Sequence, residues 1–497
     1  MEKRNRKIDW PLVIIPILAV FCLSGLLECI PQASHHVLTV IRNFLNQQFS
    51  AFYVLVGLFF FGSTLYIAFS KIGKIRLGEK QEKPEYSNLR WGVMIFTSTM
   101  SADIIFYSLC EWLMYEQEPY IKGKANVMEW SLTYSLFHWG PIAWSFYIML
   151  AVAFAYMLFV TKNKRQKFSE ACRPLLGKYI DGIVGKVIDL IAVFALIAGT
   201  ATTFSMSMPL LATVVGNLFG IKQLKTLSIF LILVVVLIYL IASVIGMKAI
   251  SCLSAICYVF FIGLLAYVLL FSGMFSYIFS SGVQEIGNLT QNFIGMATTI
   301  HSQGFTQNWT IYYWSYWIIW CVATPFFIGS ISKGRTIKDV VLRGYAWGLG
   351  GTFLSFIVLG NFGIGRQIHH LVSATKIIAT GGSYSQAALK IMETLPQYRI
   401  ALVLLALSMI GLYSTVFDSI TMVISKYSYL KLDLEAEPSK LMRSFWAVMF
   451  MVLPMALLIS NSNMYNIQSV AIIAALPTMI VMILIVISFY KSVSSNK

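Results

Sequence analysis

The chain has 497 residues, of which 58% are hydrophobic and 12% charged, and its mean hydropathy is +0.74. Soluble domains carry about 25% charged residues, so a water-soluble enzyme or binding module is excluded. The net charge of +16 would suit a nucleic-acid surface, but its distribution along the chain assigns it to membrane topology.

Apolar runs of roughly 17–25 residues cross a bilayer as helices. Twelve are predicted, over about 10–30, 50–70, 91–115, 138–161, 186–217, 227–247, 251–279, 309–331, 341–365, 399–425, 443–461 and 466–491. An all-α multi-pass membrane protein follows, with no room for a soluble domain between spans. The first run is too long for a signal peptide and lacks its small-residue cleavage site, so it is read as a retained span. Basic residues cluster before span 1 (Lys3, Arg4, Arg6, Lys7) and after spans 2, 4, 8 and 10, whereas 280–308 and 460–468 hold no Lys or Arg. Lys122, Lys124, Lys222 and Lys225 are exceptions. The bias is the positive-inside pattern, which predicts a cell-membrane protein with both termini cytoplasmic and no nucleic-acid partner.

The loops carry further signals. Segment 281–300 has Ile286, Leu289, Phe293 and Ile294 at helical spacing and reads as an interfacial amphipathic helix on the external side. Segment 366–398 is more polar and broken at Gly381-Gly382. Two spans look unsuited to a continuous helix. Thr97-Ser98-Thr99-Met100-Ser101-Ala102-Asp103 places four hydroxyls and a carboxylate inside span 3, and Ala323-Thr324-Pro325 removes a backbone donor inside span 8. Those spans are five apart, the offset of two inverted five-helix repeats over spans 3–7 and 8–12 with spans 1–2 extra. The chain then divides into an accessory pair and loop over 1–90, a first repeat over 91–280, the amphipathic helix over 281–308 and a second repeat over 309–497.

Span 8 opens with Trp309-Thr310-Ile311-Tyr312-Tyr313-Trp314-Ser315-Tyr316-Trp317-Ile318-Ile319-Trp320. Trp314, Trp317 and Trp320 recur every three residues and share a helical face. Such a ladder serves either as an interfacial anchor or as a box for an organic cation. The seven cysteines show no metal or disulfide spacing and the chain has no phosphate-binding loop, so no cofactor, metal or nucleotide is expected.

This aromatic segment, followed by Ile331-Ser332-Lys333-Gly334-Arg335-Thr336-Ile337, resembles the signature of the betaine/carnitine/choline transporter family. His138-Trp139-Gly140 with Trp144 and Tyr147 resembles the family's fourth helix, Ala198-Gly199-Thr200-Ala201-Thr202-Thr203 its fifth and Thr415-Val416-Phe417-Asp418-Ser419 its tenth. The resemblance implies a LeuT-type core, usually assembled as a homotrimer in the lipid bilayer, that moves trimethylammonium compounds by alternating access. It places Trp314, Tyr316, Trp317 and Trp320 in an aromatic box completed by Trp139, Trp144 and Tyr147, with Met100 beside it. Tyr316 stands where the family often has tryptophan.

Three positions bear on coupling. Asp103 departs from the glycine-rich stretch of sodium-coupled betaine carriers; a carboxylate so deep in a span is functional by default, and it carries a coupling proton, replaces a bound cation or faces a cationic substrate, the structural alternative being a carboxylate satisfied by neighbouring Ser or Thr hydroxyls. Thr415 matches one hydroxyl of the family's sodium site, but Val416 follows where serine is usual. Thr202 and Thr203 are candidates for a second ion site, although helical threonines often bond back to their own carbonyls. Asp418, Glu111 and Asp189 read as structural partners. Substrate exchange or proton-coupled uptake of glycine betaine, carnitine, γ-butyrobetaine or choline is therefore expected. The alternatives are a sodium-coupled betaine symporter and a non-transporting ligand sensor. A membrane enzyme is disfavoured, since the adjacent pairs His35-His36 and His369-His370 lie in external loops without a partner motif.

Overall fold

A computed structural model of the chain describes residues 7–495 other than 100, 164, 246, 431 and 433–435, and the side chains of those residues other than 97, 98, 242–245 and 247–254. Among the described residues the regular structure is helical, and two isolated bridges, Ile8 with Tyr429 and Arg76 with Thr336, are the extended pairings. Among the described residues nine helices are long and apolar enough to cross a membrane, and two further pairs pass together across a bend.

The first three long helices are α1 (Trp10–Cys29), α2 (Pro31–Gln48) and α3 (Ser50–Phe69). Helix α2 lies in a stretch read from sequence as a loop. Pro31 fits its first turn, where a missing N–H costs nothing. The expected third span is two helices, α4 (Asn88–Thr99) and α5 (Asp103–Glu116), with Ser101 and Ala102 outside both. Hydroxyl and carboxylate side chains compete with the helical ladder and favour its ends, so the run Thr97–Asp103 is where the helix yields.

The fourth span begins at Val127, not at 138. Helices α6 (Val127–His138) and α7 (Pro141–Phe159) meet at Trp139-Gly140, where a Cβ on Gly140 would come within 2.4 Å of Leu136 O. Asn126 caps α6 by accepting from Glu129 N at 3.3 Å. Helices α8 (Ile183–Phe219), α9 (Leu224–Ile245) and α10 (Met247–Phe271) follow. The seventh run stops at Phe271 rather than 279, because Gly273 takes φ +70° and turns the chain by 112° into α11 (Phe275–Thr298). The amphipathic helix thus starts six residues before the expected 281 and packs on α6.

The eighth span opens with a π-turn (Thr306–Thr310), continues as α12 (Ile311–Trp320) and breaks at 321–323 before α13 (Thr324–Ser330), bent by 51°. Pro325 sits in the first turn of α13, where its missing donor is tolerated. Helices α14 (Ile337–Ser355) and α15 (Asn361–Ile368), joined by a π-turn at Phe356–Gly360, then α16 (Tyr398–Tyr427), α17 (Lys440–Ile459) and α18 (Met464–Ser495) complete the bundle.

Small residues bring the helices close where the site is built. Gly329 on α13 lies against the backbone of α7, 3.0 Å from its virtual Cβ to Ala151 O, and Phe326 stacks on Phe154 at 3.7 Å between centroids. Loops expected on the cytoplasmic side contact one another. Leu77 N donates to Arg335 O at 2.8 Å and Gly334 N to Leu77 O at 2.7 Å, while the buried Arg335 guanidinium lies 4.4 Å over Trp91. Phe168 N donates to Tyr427 OH at 2.8 Å, and Asp9 N to Ser428 O at 2.9 Å.

Candidate functional site

The two broken spans meet at one cavity of about 30 Å³. Thr99, Ser101 and Asp103 reach it from the α4–α5 break, and Ala323 and Thr324 from the α12–α13 break. Trp139 and Tyr147 close it from the fourth span, Tyr316, Trp317 and Trp320 from α12, and Val416, Ser419 and Ile420 from α16. Interrupted helices leave backbone groups and helix ends facing such a cavity, which continuous spans do not.

Trp317 is the hub of the aromatic wall. It is 2% exposed, and its ring centroid lies 4.7 Å from Tyr147, 5.4 Å from Trp144 and 5.6 Å from Trp139. The Trp144 and Trp139 contacts are edge-to-face, the arrangement the ring quadrupoles favour. Trp139 is fixed from behind, its Nε1 donating to Glu111 Oε2 at 2.9 Å. Trp320 lies along α8, where Gly199 leaves room for the indole: a Cβ there would sit 3.1 Å from the ring.

Asp103, 2% exposed, is the first residue of α5, where the helix dipole favours a negative charge by about 0.3–1 kcal/mol. Tyr316 OH donates to Asp103 Oδ2. The Thr203 hydroxyl is hydrogen-bonded to the same Tyr316 oxygen and, with that proton committed to Asp103, serves as its donor. The tyrosine therefore commits its hydroxyl to the carboxylate while lining the cavity. A tryptophan in its place would offer a single N–H donor and no oxygen for Thr203.

Not every residue singled out from sequence reaches the cavity. Trp314 turns towards α3, where a Cβ on Gly57 would lie 2.8 Å from its ring. A step of three residues is 300°, so two such steps rotate the side chain 120° off the starting face. Trp144 stands behind Trp317 and fills the space over Gly348, 2.6 Å from a Cβ there. Thr202 Oγ1 donates to Ala198 O at 2.9 Å and Thr415 Oγ1 to Leu412 O at 3.0 Å, each bonding back within its own helix. Met100 lies outside the described residues. Thr99, Ser101 and Ile420, not marked from sequence as lining, are placed there by the break and by the i, i+4 spacing from Val416.

The acidic groups read as structural have partners. Asp418 is paired with Arg443, Asp189 with Lys167 at 3.5 Å, and Glu111 accepts from Tyr115 and Trp139. Among the described residues no cluster of three His, Cys, Asp or Glu side chains is disposed to hold a metal ion.

A glycine betaine transporter of Bacillus subtilis, OpuD, is 30% identical over 510 residues that include 100% of this chain and 96% of the relative. A probable glycine betaine transporter of Desulfitobacterium hafniense is 28% identical, covering 97% of this chain and 96% of its own. A carnitine transporter of Acinetobacter baumannii is 26% identical, covering 97% and 89%. The family model described as betaine/carnitine/choline family transporter matches residues 11–497. With twin broken helices meeting at an aromatic-walled cavity and a match over nearly its whole length, the chain belongs to the betaine/carnitine/choline transporter family.

Proposed function

We propose that the protein is a secondary transporter of a trimethylammonium compound, whose head is held among Trp139, Tyr147, Trp317 and Trp320. The observation that carries this reading is the convergence of those four rings and Asp103 on one cavity. A quaternary ammonium has no N–H to donate, so it is recognised by aromatic faces, at about 0.5–2 kcal/mol per desolvated ring. The cavity of about 30 Å³ holds roughly one water, so the rings part to admit the head and close over it. That motion belongs to alternating access about the two breaks, with spans 3–7 and 8–12 as the paired units, the termini cytoplasmic and the protein a homotrimer by family analogy.

Asp103 sets the preference among substrates. Its charge occupies the N-terminus of α5, the position that would otherwise attract a substrate carboxylate. A cation without a carboxylate, such as choline, gains from an ionised Asp103, whereas a betaine or carnitine needs it protonated. Exchange or proton-coupled uptake fits this arrangement better than sodium symport, because Val416 presents methyl groups to the cavity beside Thr415. Proteoliposomes loaded with unlabelled choline, glycine betaine or carnitine and challenged with labelled choline test the reading. Accelerated entry into trimethylammonium-loaded vesicles is expected; failure of all three compounds both to bind and to exchange would refute it.

A further inference from the structure

Behind Trp139 the partners of Glu111 run on in single file. Glu111 Oε1 lies 2.7 Å from Tyr115 OH, the same hydroxyl lies 2.7 Å from His138 Nδ1, and His138 Nε2 lies 2.9 Å from Thr310 Oγ1 in the π-turn opening the eighth span. Glu111 and His138 are fully buried, and His138 stacks on Tyr313 with centroids 5.1 Å apart and planes 9° from parallel. The titratable groups facing Glu111 are Tyr115 on its own helix and Tyr312 and Tyr313 on α12, with His138 on α6 reached through Tyr115; the Ser135 hydroxyl also faces it. Elsewhere around α5, Ser355 meets Ser108, and Cys110 turns to Tyr384 O. Among the described residues no lysine, arginine or second carboxylate is paired with Glu111.

The donors in this file have two self-consistent arrangements. With Glu111 ionised, Tyr115 donates to Oε1, His138 donates from Nδ1 to the Tyr115 oxygen, and Thr310 donates to Nε2. With Glu111 protonated, every bond reverses: Oε1–H donates to Tyr115, Tyr115 to Nδ1, and Nε2–H to Thr310. One proton converts the first into the second. It enters at Nε2, Nδ1 passes its proton to the Tyr115 oxygen, and Tyr115 passes its own to Oε1. The histidine ends neutral in its other tautomer, and the charge of Glu111 is cancelled.

We propose that Glu111, Tyr115 and His138 form a proton site that opposes substrate binding through Trp139. The proposal rests on the reading that the aromatic cavity takes an ammonium head. An indole N–H bonded to a carboxylate is a charge-assisted donor; the anion behind it holds the ring in place and enriches its face for a cation. Protonation at Oε1 leaves Oε2 a neutral acceptor for the indole, so both effects weaken. A bound ammonium therefore expels the proton, and a bound proton weakens the ammonium: the two cations compete for one carrier, at a site separate from Asp103.

The test uses tetramethylammonium, which neither titrates nor carries a carboxylate. Its binding to the purified protein is followed by calorimetry in buffers of different ionisation heat, in the wild type, Asp103→Asn and Asp103→Asn/Glu111→Gln. Asp103→Asn is expected still to release a proton on binding and to lose affinity towards acid pH by up to about tenfold per pH unit, and the added Glu111→Gln to abolish both. Loss of proton release and pH dependence in Asp103→Asn alone would overturn the proposal, and this comparison stands even if the double variant does not fold. Absence of binding by the wild type at every pH would overturn the functional reading, and this inference with it.

Discussion

Replacing Trp317 with alanine removes the ring that three others lean on. The indole is 2% exposed, with Tyr147, Trp144 and Trp139 at 4.7, 5.4 and 5.6 Å. Its own cation–π contribution is about 1–2 kcal/mol in a desolvated site. Trp139 and Tyr147 also lose an aromatic neighbour worth about 0.5–1.5 kcal/mol each, part of which falls on binding because both rings line the cavity. A total of about 2–3 kcal/mol corresponds to a rise of about 30- to 150-fold in the Kd of a trimethylammonium compound. The same deletion from a packed core lowers stability by about 3–5 kcal/mol, so binding is measured well below the melting transition on protein that elutes as the wild type does. Trp317→Phe, which keeps an aromatic face, is expected to lose no more than about tenfold. A folded Trp317→Ala whose Kd stays within about threefold of wild type would show that the wall is packing and that the ammonium binds elsewhere.

Asp103→Asn is expected to weaken choline more than glycine betaine in competition assays, since the former loses its counter-charge; equal losses would show that the carboxylate does not face the substrate. Uptake is expected to persist when external sodium is replaced by potassium, and a steep saturable sodium dependence would contradict the reading of Val416. Gly348→Ala places a methyl within 2.6 Å of the Trp144 ring, at an overpacking cost of about 1–3 kcal/mol. The displaced indole presses on Trp317, so both melting temperature and affinity should fall, and a neutral result would mean α14 gives way instead. In the loop after the fourth span, burial pushes the Glu170 carboxyl up, but hydrogen bonds from Arg173, Asn163 and Arg165 outweigh it and hold the group down to about 2. Its contribution is present above the usual glutamate range and lost as pH falls from about 4.5 towards 2. Glu170→Gln should therefore melt below the wild type at neutral pH, with a gap that closes on acidification; a gap unchanged at about pH 3 would refute the assignment.

Hydropathy and charge made the helical bundle legible, and the composition of Thr97–Asp103 and Ala323–Pro325 marked the two breaks. Periodicity failed where one residue overrides it. Gly273 ends the seventh run eight residues early because a left-handed conformation interrupts an otherwise apolar stretch. The start of the fourth span was hidden because α6 mixes Ser, Thr and His into its buried face: Ser131 Oγ bonds back to Val127 O at 2.7 Å, and His138 Nε2 meets Thr310 Oγ1 at 2.9 Å, 172 positions away. In the site, chain spacing grouped Trp314 with Trp317 and Trp320, but helical rotation separates them. The link between Tyr316 and Asp103 spans 213 positions and carries no local signal.

The seam between α7 and α13 divides the eighth span into two mechanical parts. Below the break, Gly329 and the stacked Phe154 and Phe326 fasten α13 to the fourth span almost backbone to backbone. Above it, α12 carries the tryptophans and meets α7 through ring contacts, Trp317 against Tyr147 and Trp144. Any flexure is expected to concentrate in Cys321, Val322 and Ala323, where the helical ladder is already interrupted. Under the alternating access proposed above, the rings would swing on a pivot one turn long while the lower half travels with the fourth span as one rigid lever. A methyl group on Gly329 would pry that lever open without touching anything the substrate meets.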